Sequence, residues 1–274
     1  MCRGRICIET ILTIAGFDPS SGAGATADLT VIAAHGYFGT AAISALTVQS
    51  TMGVRGVYPV AASVLDETLT CLHDDIRPIG IKIGMLGNCE NVRVVAKYLR
   101  TIRGDGLPLQ VVLDPVILSS SGRELLDAAG LDRMQQELLP LVDWITPNLD
   151  ELRILAGMTV HTADDIEGAV AVLQQRYDGL NVVATGGHLD AADDFVALAD
   201  GRQEWMRALK IESQATHGTG CAYSTALVCG LAGGGDGRAA ARAAKEFVAK
   251  AIRFAPAIGQ GKGPLNLLWP LKLG

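Results

Sequence analysis

Seven short stretches of this chain are close to wholly apolar, and most break off at glycine, proline, aspartate or asparagine. They are "TILTIAG" (10–16), "GTAAISAL" (39–46), "IGIKIGM" (79–85), "LQVVLDP" (109–115), "DWITPN" (143–148), "LNVVATGG" (180–187) and "DFVALAD" (194–200). A strand with one wet face alternates apolar and polar residues, so runs this apolar predict strands covered on both faces. Between them lie helical patterns at 62–74, 89–103, 130–140 and 162–178. "TADLTVIAAHG" puts Leu29, Ile32 and Ala33 on one helical face, with Gly36 as a stop. The last third reads as two helices, about 219–235 and 236–255. Strand–helix alternation of this kind implies an α/β fold, a mostly parallel sheet with helices on both sides. With no Pro/Ser linker and no internal repeat, residues 1–274 read as one domain, and 1–8 as a loosely ordered N-terminal extension.

Composition narrows the function classes. Hydrophobic residues make up 49% and charged residues 19%, enough for a large core and against disorder. A net charge of −6 and an aromatic content of 5% argue against nucleic acid as a partner. An anionic small ligand would need its charge met locally, by backbone N–H groups or a metal. The six cysteines (Cys2, Cys7, Cys71, Cys89, Cys221, Cys229) include no C-x-x-C pair, which fits reduced thiols in a cytoplasmic protein. Glu9 and Thr10 interrupt the apolar N-terminal run, so neither a signal peptide nor a membrane span is expected.

In open α/β sheets, ligands bind where strands end and loops turn into helices. The unusual residues fall at such points. "GFDPSSGAGATAD" carries three glycines but matches neither the dinucleotide nor the P-loop pattern. Asp28 sits in the first turns of the following helix, where it either answers the helix dipole or accepts from a ligand amino group. Asp114 closes a buried strand, costly unless paired, hydrated or metal-bound. Asn148 and Glu151 have the spacing of a capping box, and equally the oxygen chemistry of a hydrated Mg²⁺ site. Gly186 and Gly187 let a phosphate chain approach the backbone, or simply make a turn. In "HGTGC", Gly218, Thr219 and Gly220 lead into a helix whose free N–H groups would form an anion hole. Cys221 at that position is either a buried core thiol or a reactive one with a lowered pKa. Cys229, eight residues on, reads as core.

Taken in order, "LTIAGFDPSSGAGATADL", "ISALTVQSTMGV", "IKIGMLGN", "VVLDPVILSSSG", "LLPLVDWITPNLDE", "GGHL", "THGTGC" and "GKGPLN" resemble the hydroxymethylpyrimidine/phosphomethylpyrimidine kinases of thiamin biosynthesis, in the ribokinase-like superfamily. The resemblance runs nearly end to end. It implies a three-layer α/β/α sandwich that transfers the γ-phosphate of ATP, with Mg²⁺, to 4-amino-5-hydroxymethyl-2-methylpyrimidine and then to its monophosphate. By the same resemblance, Gly16, Asp28 and Gln49 contact the pyrimidine, with Met85 and Val116 as apolar walls. Asp114 and Glu151 hold the metal, and Gly218, Thr219, Gly220 and Cys221 form the catalytic anion hole, with Cys221 accepting the substrate hydroxyl proton. Asn148, Thr185, Gly186, Gly187, Thr216, Ala244 and Val248 border ATP. The family also implies a homodimer.

Several positions depart from the family pattern. Phe17 stands where a small hydroxyl residue is usual, and Ala25-Thr26 where Ile-Gln is usual. Thr185 replaces a lysine, and Gln214-Ala215 replace Lys-Asn. Three rival readings follow: a pyridoxine or pyridoxal kinase of the same superfamily, a non-catalytic pyrimidine-phosphate sensor, and a sugar-type kinase. The last would call for aspartate in place of Cys221.

Overall fold

The computed structural model describes residues 8–119, 122–186, 192–209 and 211–271. The proposed N-terminal extension, apart from Ile8, lies outside the described residues, as does Gly187. The described residues form one nine-stranded sheet: β1 (Thr10–Phe17), β2 (Phe38–Ser50), β3 (Gly53–Pro59), β4 (Gly80–Ile83), β5 (Gln110–Leu113), β6 (Trp144–Ile145), β7 (Asn181–Ala184), β8 (Asp194–Ala197) and β9 (Gln203–Met206). Their spatial order is β3-β2-β1-β4-β5-β6-β7-β8-β9. Six strands, from β2 through β1 and β4 to β7, run parallel, and β3, β8 and β9 are antiparallel additions at the two edges. The strand order turns over between β1 and β4, which opens a crevice at their carboxyl ends.

Eight α-helices cover the sheet: α1 (Gly24–Ala34), α2 (Ala62–Asp75), α3 (Cys89–Gly104), α4 (Ala128–Arg133), α5 (Leu149–Ala156), α6 (Ala163–Arg176), α7 (Thr219–Ala232) and α8 (Gly237–Arg253). Residues of α1, α7 and α8 build one core with Ile11, Val112 and Val183. Those of α2, α3, α5 and α6 build the other with Leu12, Ile81 and Leu113. Adjacent strand residues therefore feed opposite cores, which is why the strand sequences are apolar at both parities. The three-layer α/β/α sandwich expected from the sequence is the architecture found.

The differences lie at edges and ends. β2 continues beyond the expected 39–46 and pairs with β3 antiparallel, from Ala45–Pro59 to Ser50–Gly53. β3 and β9 are not apparent in the sequence because edge strands need no continuous apolar run. The predicted helix 130–140 is α4 followed by a wider turn at Met134–Leu138 and a tight one at Leu139–Leu141, Pro140 breaking regular pairing. α5 starts at a full capping box. Asn148 Oδ1 accepts from the N–H groups of Asp150 (2.9 Å) and Glu151 (3.0 Å), and Glu151 Oε2 accepts from Asn148 N–H (2.9 Å).

Candidate active site

Beneath the β1–β4 crevice lies an ion pair with no solvent contact. Lys82 Nζ on β4 donates to both oxygens of Asp28 on α1, at 3.1 and 2.9 Å, and both side chains are 0% exposed. Lys82 stands in register with Thr13 of β1, whose hydroxyl donates to Asp28 Oδ2 at 2.6 Å. Thr225 of α7 donates to Asp28 Oδ1 at 2.9 Å and lies 2.7 Å from the carbonyl oxygen of Cys221. Burial works against the Lys82 charge, but Asp28, Cys221 and Asp114 outweigh it and hold the ammonium above its ordinary pKa. Four elements are thus bound to one carboxylate, and this corrects the assignment of Asp28 as a pyrimidine contact. Its oxygens are occupied by protein donors and no part of it reaches the crevice.

The start of α7 lies directly above. Gly218 is its N-cap, with φ 82° and no side-chain cap. That conformation suits glycine, and a Cβ there would run into the carbonyl of Gly22. The first N–H groups of α7 are therefore left without a side-chain acceptor, the geometry that attracts anions. Asp114, at the end of β5, sits against this turn: a Cβ on Gly220 would lie 3.8 Å from its Oδ2, and Ser224 Oγ is 3.3 Å from the same oxygen. Burial raises the Asp114 pKa, with Lys82 opposing.

Cys221 differs from expectation. A helix start was expected to lower its pKa, yet burial of the thiol pushes it up to about 12 although the residue keeps part of its surface in solvent. Lys82 opposes the shift, and Asp114 and Asp28 add to it. With its pKa pushed up that far, Cys221 stands beside Asp114 as a thiol. Cys229, 2% exposed, is core as expected.

Glu151, 5% exposed, is raised to about 8, first by burial and then by the Asp114 charge. Two carboxyls that resist ionising beside each other suit a cation between them. Thr146, on the strand end next to Asp114, adds a buried hydroxyl with no partner among the described residues. A magnesium ion with its water and phosphate ligands fits this donor set, since Mg²⁺ needs only one or two carboxylates from the protein. Among the described residues no three His, Cys, Asp or Glu side chains converge as a self-sufficient metal site.

On the other side of the α7 start, Met85 packs with Ala45 and Val116 in a small apolar cluster. A Cβ on Gly16 would lie 3.2 Å from Met85 Sδ, so Gly16 lies against the same cluster. Gln49, near the end of β2, is half-buried and touches His217. At the ends of β6 and β7, Asn148 and Thr185 are bridged side by side, and Gly186 N–H donates to Asp194 Oδ1 at 3.0 Å. Lys245 of α8 donates to Asp194 Oδ2 at 2.6 Å and ties that helix to the Gly186 turn. Ala244 and Val248, beside Lys245, face the core of α8 at 2% and 9% exposure, and Thr216 is exposed. Reading the sequence did not single out Lys82, Thr225, Asp18 or His217. The one available signal was Lys82, a lysine inside an otherwise apolar strand.

A sequence profile of the family described as phosphomethylpyrimidine kinase matches residues 18–266. The chain is 38% identical over 264 residues to a hydroxymethylpyrimidine/phosphomethylpyrimidine kinase of Haemophilus influenzae, covering 94% of this chain and 96% of that protein. Among solved structures it resembles the pyridoxal kinase of Bacillus subtilis in its ADP complex (TM-score 0.83, 28% identity, 94% of this chain and 97% of that one). It also resembles a phosphomethylpyrimidine kinase of Clostridium difficile (TM-score 0.76, 31% identity, 89% and 99%).

The buried pair generates a stability prediction. Lys82→Met strands the Asp28 carboxylate and should cost about 3–5 kcal/mol in urea unfolding. Asp28→Leu combined with Lys82→Met should recover most of that loss. A single variant as stable as the parent would show that Asp28 finds water or another partner.

Proposed function

This chain belongs to the phosphomethylpyrimidine kinase family, and from that premise we propose that it transfers the γ-phosphate of ATP to 4-amino-5-hydroxymethyl-2-methylpyrimidine and then to the monophosphate. The observation that carries this reading is the uncapped start of α7 lying against the buried carboxyl of Asp114, with Glu151 close to it. Gly16, Met85 and Val116 would hold the ring, with Gln49 as its polar contact. The N–H groups of Gly218, Thr219, Gly220 and Cys221 would meet the charge that spreads over the transferring phosphoryl oxygens. Asp114 and Glu151 would hold Mg²⁺, which supplies charge neutralisation at the phosphates. Asn148, Thr185, Gly186 and Thr216 would border ATP, and Ala244 and Val248 would back it from α8; Gly187 lies outside the described residues.

The substrate hydroxyl oxygen attacks the γ-phosphorus as the bond to ADP breaks. A loose transition state asks little of a base at the outset, since the hydroxyl becomes acidic as the new bond forms. Cys221 would stand at the receiving position as a thiol, and it could take that proton only once its own has left. The pyridoxal kinase reading keeps one observation in its favour, the structural likeness to the Bacillus subtilis enzyme. An ADP-release assay with the hydroxymethylpyrimidine, its monophosphate and pyridoxal separates the two: turnover of pyridoxal alone overturns the proposal.

A homodimer is part of the same proposal. Leu46, Val48, Met52 and Tyr58 on the β2–β3 hairpin are more than half exposed, an apolar surface at a sheet edge that a second copy would cover. Cys71, Cys89, Cys221 and Cys229 are free thiols, which supports a cytoplasmic setting. No described helix is long and apolar enough to cross a membrane.

Two outcomes follow. Cys221→Ala should lower kcat by about 10²-fold or more while Cys229→Ala changes it little. Cys221→Ser, which keeps a proton-bearing group, separates proton handling from disturbance of the helix start. Comparable losses at both cysteines would remove Cys221 from the mechanism. The second outcome concerns the metal. Glu151 has a folded-state pKa raised from 4.5 to about 8, so its bound proton favours folding at low pH, and that contribution is lost as pH climbs through this window. Mg²⁺ must displace the proton, so it should raise Tm more at about pH 8.5 than at about pH 6. Equal shifts in scanning fluorimetry at the two pH values would count against Glu151 as a ligand.

A further inference from the structure

Four segments meet on one side chain that no step above uses, His217. Its backbone N–H donates to Gly263 O at 3.3 Å, and it bridges to Pro264 in the C-terminal segment. Its ring lies so close over Gly22 that a Cβ there would run into Cδ2. Ring Nε2 is 2.8 Å from Asp18 Oδ2 in the β1–α1 loop and 2.9 Å from the side-chain amide of Gln49 at the end of β2. The next residue is Gly218, the cap of α7.

The chemistry of this contact is restrictive. Asp18, 3% exposed, already accepts from Ser20 N–H (2.8 Å), Ser20 Oγ (2.7 Å) and Ala23 N–H (2.9 Å). Burial works to raise its pKa, but the hydrogen bonds from His217 and Ser20 outweigh it and keep the carboxyl below its usual value. An ionised carboxylate only accepts, so Nε2 of His217 carries the hydrogen and donates it. The Gln49 amide reaches the same N–H, and an amino group turned toward it would set donor against donor. The amide is satisfied when its carbonyl oxygen faces Nε2–H, an orientation reached by half a turn about its last bond. Its amino group then has no other hydrogen-bond partner among the described residues and is left to a ligand.

We propose that His217, anchored on Asp18, is a positioning residue that sets which end of the Gln49 amide meets the substrate. It thereby selects a heterocycle whose edge at that point is a hydrogen-bond acceptor, such as an unprotonated ring nitrogen. The inference rests on the pyrimidine-kinase reading for its substrate and on the Asp18–His217–Gln49 geometry for its mechanism. It assigns His217 to recognition, although His217 precedes the anion hole in sequence.

The experiment is a double-mutant cycle with KM and kcat read separately for pyrimidine and ATP. His217→Phe should raise the pyrimidine KM by about tenfold, the scale of one lost hydrogen bond, with the ATP KM unchanged. Gln49→Ala should do the same, and the double variant should be no worse than Gln49→Ala alone. His217→Gln, whose amide nitrogen can stand in for Nε2–H, should recover most of the loss and keeps the test valid if the phenylalanine variant folds poorly. Additive losses, or an ATP KM that rises in step, would overturn the proposal. Side-chain ¹⁵N NMR of the unliganded parent decides the mechanism without turnover: a hydrogen on Nε2 supports it, and a bare Nε2 ends it. A parent with the expected NMR signature but no pyrimidine turnover would sink the functional reading and leave the Asp18–His217–Gln49 geometry standing.

Discussion

The Asp28–Lys82 ion pair is the contact on which the rest of the site is built. Both side chains are fully buried, and the pair sits where the strand order turns over. Its partners come from β1 (Thr13), β4 (Lys82), α1 (Asp28) and α7 (Thr225). Thr225 lies on α7 itself, so its bond to Asp28 fixes the helix whose start would bind phosphate relative to the sheet. Two charges are expensive to bury, and apolar residues of similar volume would often serve stability as well. What apolar residues cannot do is fix direction. A carboxylate with three donor groups around it admits one placement of each, which suits a helix start whose N–H groups must point at a reacting group.

The fold was legible because strands covered on both faces leave a mark at every residue. The central strands and most helices follow from that mark. The edge strands β3 and β9 do not, and α5 was visible only through its cap. At the site, position was more legible than role. Gly16 and Val116 both lie against Met85, and Asp114 lies against the helix start that carries Cys221. Asp28 was misread because its partner lies 54 residues away and a helix start offers a carboxylate two plausible duties. Lys82 carried the missing information: a lysine in an apolar strand must find an anion, and the nearest carboxylates are those of the site.

Asn148 and Glu151 show why a choice between a structural and a functional reading can be false. The capping box is present, with both reciprocal hydrogen bonds. The same box holds one Glu151 oxygen against a backbone N–H and keeps the carboxyl buried near Asp114, where its pKa is raised to about 8. The cap therefore positions the group that a metal would use. Cys221 is the converse case. A helix start favours a thiolate, but burial among Asp114 and Asp28 wins, because removal of water from a thiolate outweighs the partial charge of a helix end.

That balance bears on the two missing lysines. Thr185 and Gln214 carry no charge, and Lys245, beside the Gly186 turn, is already neutralised by Asp194. Lys82 is spent on Asp28 and has no path to the crevice. Backbone N–H groups at the start of α7, and any cation that Asp114 and Glu151 would hold, are then two sources of positive potential at this turn. Backbone dipoles are fixed in place and act over about one turn, whereas a divalent cation brings two full charges into a site of low dielectric. The two carboxyls tolerate proximity because Glu151, raised to about 8, can hold its proton until a cation replaces it.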